Sequence, residues 1–376
     1  MSVQRMLRMI MVSGLWLALF SLSTEAQTKV TSQPFGKLPD GTAVELYTLS
    51  DGPFEARIST YGGVVVSLKT PDRGGKVGDV VLGFDDVDGY YANFNGPADA
   101  FFGALIGRYG NRIGHGSFTL DGQKYSLPLN NGENTLHGGP HGFNNVVWKA
   151  KQIKSGVELT YLSKDGEAGF PGNLTTTVQY TLVKGALRIE YSATTDKDTV
   201  LNLTNHAYFN LAGKGNILEH QVTLHASRFT PVDAGLIPTG ELKAVEGTPF
   251  DFRKSTAVGA RIGADDVQLH LGHGYDHNWV LDSGGGKLAE AAEVYDPSSG
   301  RVMKVLTDQP GIQFYSGNFL DGTIKGRGGM AFELRSALCL ETQHFPDSPN
   351  HPDFPTTELK PGQHYHSVTV YSFSAR

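Results

Sequence analysis

Hydrophobic and polar residues alternate along residues 201–210, which read LNLTNHAYFN. Successive side chains of an extended chain point to opposite faces, so this pattern predicts a strand with two unlike faces. One face is apolar apart from Asn205 and is expected to face a core. The other face carries hydrogen-bonding groups around an imidazole: Asn202, Thr204, His206, Tyr208 and Asn210. A purely structural strand does not need such a row, which makes it a candidate site.

Similar alternation recurs along most of the chain and predicts an all-β fold. Many short strands without βαβ alternation are typical of a large antiparallel β-sandwich or barrel. Turn-forming dipeptides separate alternating segments at Asp40-Gly41, Asp121-Gly122, Lys184-Gly185 and Asp321-Gly322. The predicted strands cover residues 43–49, 55–61, 64–70, 146–153, 156–163, 174–183, 186–195, 220–226, 302–307, 312–316 and 366–373.

Helical periodicity is scarce and predicts only two short helices, at residues 98–105 and 260–271. The chain contains 47 glycines and 18 prolines. This frequency of turn-forming residues suits short strands joined by turns better than long helices.

Residues 1–26 are typical of a secretory signal peptide. Arg5 and Arg8 precede an apolar run over residues 9–22, and the small residue Ala26 marks the expected cleavage point. An uncleaved membrane anchor is the alternative, but the run is shorter than the roughly 20 residues that span a bilayer. We therefore expect an exported protein, periplasmic or secreted. Residues 27–376 would form a single domain with no membrane contact after cleavage.

Charge and cysteine content limit the possible partners. The net charge is −6 and no run of lysine and arginine is present, which disfavours nucleic acids and anionic membranes as partners. Cys339 is the only cysteine, so stability must come from a core and not from an internal disulfide. Its apolar neighbours predict a buried structural thiol. We expect a small-molecule partner and a monomer or weak dimer.

Two glycine-containing segments carry candidate binding residues. Residues 107–116 read GRYGNRIGHG and include Asn111 and Arg112. Flanking glycines allow a close approach of backbone to ligand, although a surface turn with solvated arginines is the alternative. Residues 134–143 place His137 before two glycines, where it either points into a cleft or has no role.

Three further residues are candidates in strand-like segments. Asp276 offers a carboxylate to ligand hydroxyls, with a turn residue as the alternative, while the nearby Trp279 is expected in the core. Gln313 shares a strand face with Tyr315, which is weak evidence because surface glutamine is common. Glu341 follows an apolar run, and burying a carboxylate costs free energy unless it is paired or functional.

Several other chemistries lack their motifs. His270, His273 and His277 are spaced like metal ligands, but no HExxH motif or cysteine cluster accompanies them. A phosphate-binding loop, a dinucleotide fingerprint and a GxSxG elbow are absent from the sequence as well. The sequence therefore predicts no cofactor and no catalytic metal.

Six segments together resemble the motifs of the aldose 1-epimerase (galactose mutarotase) family, in the family's order. They are GRYGNRI, NTLHGG, LTNHAYFNLAG, GYDHNW, QPGIQFYSGNFLDG and LCLETQHFPDSPN. The resemblance covers nearly the whole chain after residue 26. The departures are small, since Gly110 stands where alanine is usual and Ala207 where serine is usual.

The resemblance implies a large antiparallel β-sandwich, the galactose mutarotase-like supersandwich, with a concave sugar site. It implies cofactor-free interconversion of the α and β anomers of free aldohexoses such as glucose and galactose. By motif match, His206 would be the general acid, Glu341 the general base, and His137 would lie beside the ring oxygen. Sugar hydroxyls would be bound by Asn111, Arg112, Tyr208, Asp276 and Gln313, with the 202–210 row as floor and wall of the cleft.

The residues suit this chemistry independently. Opening a pyranose removes a proton from the anomeric hydroxyl and gives one to the ring oxygen, so one base and one acid suffice. With reference pKa values of about 4.3 and about 6.5, Glu341 should be ionised, and its charge is expected to favour the His206 imidazolium. Two alternatives stay open: a non-catalytic sugar-binding protein, and a glycoside hydrolase that uses Glu341 and Asp276 as its two carboxylates.

Overall fold

The computed structural model describes residues 28–96 and 100–376, so the predicted signal peptide lies outside the described residues. The first strands are β1 (Lys29–Lys37), β2 (Ala43–Asp51), β3 (Phe54–Ser59), β4 (Val65–Pro71), β5 (Val77–Asp79), β6 (Leu105–Ile106), β7 (Arg112–Ile113), β8 (Ser117–Leu120), β9 (Gln123–Ser126), β10 (Thr135–Leu136), β11 (Lys149–Ile153), β12 (Gly156–Ser163), β13 (Leu174–Val183) and β14 (Ala186–Thr195). The remaining strands are β15 (Thr199–Val200), β16 (Thr204–Asn205), β17 (Gln221–Leu224), β18 (Arg228–Thr230), β19 (Lys243–Ala244), β20 (Thr256–Ala257), β21 (Asp276–Val280), β22 (Ala289–Tyr295), β23 (Arg301–Thr307), β24 (Gly311–Tyr315), β25 (Cys339–Gln343), β26 (Glu358–Leu359) and β27 (Tyr365–Ala375). The α-helices are α1 (Val87–Phe94) and α2 (Val267–Leu271).

Most of these strands belong to three antiparallel sheets, and the others pair in two-stranded sheets. A nine-stranded sheet has the order β11-β12-β13-β14-β27-β23-β22-β17-β20, and β1 to β5 form a second sheet in chain order. The third sheet has the order β19-β18-β21-β24-β25 and carries the site described below. This arrangement confirms the predicted all-β antiparallel sandwich. Within the described residues, no helix is long and apolar enough to cross a membrane.

One large apolar core joins the three sheets. It includes Leu49 from the second sheet, Ile189 from the nine-stranded sheet, and Trp279 and Phe314 from the third. Trp279 is fully buried, as expected, and its indole N–H donates to the carbonyl oxygen of Phe250. A smaller core around α1 packs on the opposite side of the third sheet and includes Cys339. The third sheet therefore lies between two apolar clusters, which fixes its position.

Most of the predicted strands and hairpins are confirmed. The dipeptides at 40–41, 121–122 and 184–185 each join two paired strands. The dipeptide Asp321-Gly322 does not, because no named strand follows it before β25. The strands β21 and β22 were not predicted. The sequence of β22, AEAAEVY, is rich in residues that favour helices, but its pairing with β17 and β23 overrides that preference.

The helix predictions are largely wrong. The described part of 98–105 contains no helix, and Leu105–Ile106 is strand β6. The helix predicted at 260–271 begins only at Val267, because the carboxylate of Asp266 accepts hydrogen bonds from the N–H groups of residues 268 and 269 and so caps the first turn. Helix α1 was not predicted. It contains Gly89, which disfavours helix, and buries Val87, Tyr90 and Phe94 on one face.

Candidate active site

Strand register in the third sheet brings distant carboxylates and amides together. Gln313 on β24 lies opposite both Asn278 on β21 and Glu341 on β25, while Asp276 lies opposite Tyr315. Directly opposed residues point to the same face of a sheet, so these polar side chains share one face. The other face is core: Trp279, Ile312, Phe314 and Leu340. The period of two thus separates the site face from the core face.

The segment 201–210 is extended but is not a regular strand. Within it β16 pairs with β6, Asn202 and Phe209 form only isolated bridges, and the backbone N–H of His206 donates to the carbonyl oxygen of Ala104. The side chains of Asn202 and Asn210 donate to backbone carbonyls of neighbouring loops. They do not line the cavity that lies beside the polar face of the third sheet. Of the predicted row, His206 and Tyr208 line the cavity. The prediction that the whole row forms the cleft is therefore wrong.

A reciprocal pair of hydrogen bonds locks His137. Its backbone N–H donates to the carbonyl oxygen of Asn111, and the backbone N–H of Asn111 donates to Nδ1 of His137, both at 3.1 Å. Both residues adopt positive φ, 53° for His137 and 64° for Asn111. Because Nδ1 accepts a hydrogen bond, the proton of the neutral ring resides on Nε2. The ring can therefore donate a hydrogen bond to a ligand oxygen.

Arg112, Asp276 and Gln313 form one cluster joined by an ion pair and a hydrogen bond. Nη1 of Arg112 lies 4.0 Å from Oδ2 of Asp276, and the Gln313 amide donates to Oδ1 of Asp276 at 2.7 Å. Nε of Arg112 donates to Oδ1 of Asn131 at 2.9 Å, and its backbone N–H donates to the side chain of Asn111. The guanidinium is buried and rigidly held, as recognition of fixed ligand oxygens requires.

These groups surround a cavity of about 280 Å³, which we call the inner cavity. Seven of the eight predicted site residues line it: Asn111, Arg112, His137, His206, Tyr208, Asp276 and Glu341. Gln313 is not among the lining residues, and its amide donates to Oδ1 of Asp276. Its contact with sugar stays a prediction.

Glu341 and His206 form a buried acid–base pair. Oε1 of Glu341 lies 3.6 Å from Nε2 of His206, and the two residues are only 2% and 6% exposed. Oε2 of Glu341 is buried and finds no hydrogen-bond partner among the described residues. The ring of Tyr208 stacks on the imidazole with centroids 5.0 Å apart. The carboxyl group thus retains capacity for a ligand hydroxyl.

Burial controls the ionisation of this pair. It raises the pKa of Glu341 well above its usual value, with the nearby charge of Asp276 adding to the effect and Arg112 opposing it. Burial lowers the pKa of His206 to about 4. Both shifts favour the uncharged forms, a protonated carboxyl group and a neutral imidazole. The expectation that Glu341 favours the imidazolium is therefore wrong for the unliganded geometry, because desolvation outweighs the charge–charge attraction.

The same residues meet the spacing of a metal site but not its chemistry. Ligand atoms of His137, His206 and Glu341 lie within 4.8 Å of one another. A metal needs the lone pair of an imidazole nitrogen, however, and the hydrogen bond to Nδ1 leaves Nε2 of His137 protonated. Within the described residues, His270, His273 and His277 do not bring ligand atoms together.

Several residues of the inner cavity were not predicted. Tyr315 and Phe101 line the cavity, as do Asn131 and the half-exposed Phe319. Gln313 and Tyr315 alternate with apolar residues and so share one strand face, which was a usable signal for Tyr315. Phe101 is indistinguishable from a core aromatic in sequence. Asn131 is held by its side-chain bond to Arg112 and by backbone bonds to Asn134, and neither contact could be recognised in the sequence.

Comparison with known proteins shows relatives that match most of the chain. The family described as aldose 1-epimerase matches residues 45–372. Galactose mutarotase from Bos taurus is 46% identical over 348 residues, which cover 92% of this chain and 98% of the relative. Aldose 1-epimerase from Escherichia coli K12 is 40% identical over 343 residues, covering 90% of this chain and 97% of the relative.

Solved structures extend the comparison to the fold. Galactose 1-epimerase from Lactobacillus acidophilus superposes with a TM-score of 0.80 at 26% identity, covering 93% of this chain and 99% of that one. An aldose epimerase homologue from C. elegans gives a TM-score of 0.78 at 32% identity, covering 86% and 96%. The chain therefore belongs to the aldose 1-epimerase family of isomerases.

Proposed function

We propose that Glu341 and His206 share one proton as they interconvert the α and β anomers of a free aldose. The observation that carries this assignment is their buried contact of 3.6 Å, with a second carboxyl oxygen left for substrate. The anomeric oxygen O1 and the ring oxygen O5 are both bonded to C1. An acid and a base that act on them must therefore lie close together, and these two groups do.

Ring opening moves two protons and no other atoms. The shared proton first passes from Glu341 to His206; the Glu341 carboxylate then takes the proton of O1 while the His206 imidazolium gives one to O5, and the C1–O5 bond breaks to leave an open-chain aldehyde. The products are a neutral carboxyl group and a neutral imidazole. After rotation about the C1–C2 bond, O5 attacks the other face of C1, its proton returns to His206, and Glu341 protonates O1. The roles of acid and base reverse, as microscopic reversibility demands.

Burial assists the opening step. The closed sugar is complementary to the ionised pair, whereas the open aldehyde is complementary to the neutral pair. Because burial raises the pKa of Glu341 and lowers that of His206, it favours the state in which the ring is open. The protein environment therefore shifts the free energy of the chemical step and does not only bind the sugar.

The remaining residues orient the ring. Nε2–H of His137 donates to an oxygen near C1, since its Nδ1 is already occupied. Arg112 and Asp276, at the opposite side of the inner cavity, bind hydroxyl groups, with Gln313 fixing the carboxylate of Asp276. Asn111 supports both His137 and Arg112 through its backbone and side chain.

The two alternative functions fit the site less well. A sugar-binding protein gains nothing from an unpartnered buried carboxyl group, which destabilises the fold. A glycoside hydrolase needs two available carboxyl groups, but Asp276 is engaged by Gln313 and Arg112. Neither alternative is favoured by the relatives, which are named as mutarotases and epimerases.

Polarimetry of freshly dissolved α-D-glucose and α-D-galactose tests the proposal. We expect the purified chain to speed the approach of both sugars to anomeric equilibrium, since the relatives' names point to galactose and to aldoses in general. Binding of sugar without any acceleration would identify a binding protein. Release of free sugar from an aryl glycoside would identify a hydrolase.

We also propose export to the periplasm or the exterior, with cleavage after Ala26. The support is the charged start, apolar run and small-residue end of residues 1–26. N-terminal sequencing of the exported protein should begin at Gln27, and retention of Met1 on a membrane fraction would favour the anchor instead. For the assembly state we propose a monomer or weak dimer, which sedimentation velocity would measure.

A further inference from the structure

Cys339 and Glu341 contact the two nitrogens of the His206 ring from one strand. Sγ of Cys339 lies 3.5 Å from Nδ1 of His206, and Oε1 of Glu341 lies 3.6 Å from Nε2. Cys339 and Glu341 are two residues apart on β25, so their side chains point to the same face of the sheet. The proposed function uses the contact at Nε2 and leaves the contact at Nδ1 without a role.

Cys339 is buried, as the sequence predicts, but its surroundings are not only apolar. It is 0% exposed and belongs to the smaller core around α1, while its sulfur meets the imidazole of His206. Burial raises the pKa of the Cys339 thiol well above its ordinary value, and the charges of Glu341 and Asp276 add to this effect. Cys339 is therefore an uncharged thiol at neutral pH, and its sulfur can accept a weak hydrogen bond.

Aromatic neighbours hold the plane of the imidazole but not its orientation within that plane. Tyr208 stacks on His206 with an interplanar angle of 28°, and Phe101 is tilted by 35° to the imidazole with centroids 5.9 Å apart. A stacked ring contacts the imidazole equally well when a half-turn exchanges the positions of its nitrogens and carbons. The polar contacts with Cys339 and Glu341 distinguish the two orientations, because a ring carbon would replace each nitrogen in the other one.

The shared-proton mechanism requires one tautomer of the neutral His206. Nε2 must present a lone pair to the Glu341 carboxyl group, because Nε2 receives the proton that it later gives to O5. The single proton of the neutral ring then lies on Nδ1, on the side of Cys339. Burial lowers the pKa of His206 to about 4, and the ring's own backbone carbonyl opposes that lowering. A carbonyl oxygen only accepts hydrogen bonds, and Nδ1 is the ring nitrogen closer to the backbone, so this carbonyl also favours a proton on Nδ1.

We propose that Cys339 is a positioning residue, whose sulfur accepts a hydrogen bond from Nδ1–H of His206 and so keeps the lone pair of Nε2 directed at Glu341. The proposal rests on the proposed function, since it assigns what orients the acid of that reaction. A weak acceptor suits this role. A carboxylate in place of the thiol would stabilise the imidazolium and oppose the neutral pair that burial favours, whereas sulfur selects the tautomer without adding charge.

Nitrogen NMR of protein labelled with ¹⁵N-histidine measures the tautomer without any turnover. At neutral pH we expect His206 to show a protonated Nδ1 and an unprotonated Nε2, assigned by the signals that His206→Asn removes. Cys339→Ser should keep the proton on Nδ1, whereas in Cys339→Ala part of the population should carry it on Nε2. A proton on Nε2 in the wild type would overturn the proposal, because the thiol would then be the donor. An unchanged tautomer in Cys339→Ala would overturn it as well.

Kinetics of the same two variants separate positioning from packing. Alanine and serine are similar in size, but only serine can accept a hydrogen bond. Cys339→Ala should lower kcat for α-D-glucose by about three- to tenfold, the effect of one hydrogen bond, with KM within about twofold. Cys339→Ser should retain kcat within about twofold, although its buried hydroxyl costs more stability. A role in packing alone predicts the reverse order, with serine the less active variant.

Val44→Ala is the matched control, because Val44 is buried in the same core around α1 and does not line the inner cavity. It should lose stability in urea denaturation and keep the wild-type kcat. A wild-type kcat in Cys339→Ala would overturn the proposal, as would equal losses of kcat in the alanine and serine variants. A wild type inert on glucose and galactose would instead contradict the proposed function, and the NMR measurement would still locate the proton of His206.

Discussion

At the scale of single residues, the site is defined by ionisable groups that are removed from water. Burial is the largest influence on the pKa of Glu341, of His206 and of His137, and in each case it favours the neutral form. Perturbed ionisation of neighbouring groups in a cavity is typical of catalytic sites. The sequence indicated Glu341 because a carboxylate follows an apolar run. The direction of the pKa shifts depends on desolvation that only the folded chain produces.

Glu341→Gln should stabilise the fold while abolishing catalysis. The raised pKa of Glu341 means that its stability contribution is present below the unfolded pKa and is lost as pH rises. Glutamine removes this penalty, so the free energy of unfolding should increase by about 1 kcal/mol at pH 7. Urea denaturation at pH 7 and near pH 4 measures the free energy of unfolding of the variant and the wild type. The difference between them should be smaller at the lower pH.

The exposed Glu241→Gln is the matched control and should change stability little at either pH. A loss of stability in Glu341→Gln at pH 7 would show that the carboxylate is favourably paired in the native state. That result would contradict the neutral-pair account.

The pH profile of kcat/KM should be broad, because the one-proton form of the pair is active. Below about pH 4, His206 gains a proton while Glu341 holds its own, so no base remains. The alkaline limb marks the loss of the last proton, and burial of Glu341 moves it above the usual range of a glutamate. Stopped-flow polarimetry from pH 3.5 to pH 9 gives both limbs. A narrow bell between about 4.3 and about 6.5, the reference values, would show that burial does not tune the pair.

At the scale of elements, strand register brings the site together. Glu341, Gln313 and Asp276 converge because β21, β24 and β25 are paired with their polar positions aligned. The alternation in each segment was visible in the sequence, but the pairing partner was not. A turn position therefore remained an alternative for Asp276, and nothing in the sequence indicated that Gln313 donates to it. Contacts between strands decide these roles.

The Asn111–His137 lock gives a prediction about backbone strain. Asn111 has a φ of 64°, a conformation that alanine adopts at a cost of about 1–2 kcal/mol but glycine adopts freely. Asn111→Ala should therefore be less stable than Asn111→Gly by about 1 kcal/mol in urea unfolding. Both variants lose the side-chain bond to the backbone N–H of Arg112. The difference between their free energies of unfolding therefore reports the cost of the positive φ alone. Equal stabilities would show that the segment relaxes away from positive φ.

At the scale of the whole molecule, a continuous core supports a site between two apolar clusters. Alternation and turn dipeptides were enough to predict an antiparallel sandwich or barrel, because period-two patterning and Asp-Gly hairpins are local signals, and the family resemblance favoured the sandwich. Helix α1 and strand β22 escaped prediction, since packing overrides their local preferences. The six motifs supplied the candidate site residues, whereas the wall of the inner cavity also depends on segments that meet only in the fold, such as Asn131 against Arg112.

The most direct test of the central claim is the initial rate of α-D-glucose mutarotation in five variants. Glu341→Gln and His206→Asn should each lower kcat by about 10²- to 10⁴-fold, and the double variant should lose little more, because the two residues act as one unit. The exposed controls Glu241→Gln and His270→Asn should retain the wild-type rate. A folded His206→Asn or Glu341→Gln protein with a near-normal rate would contradict the shared-proton mechanism.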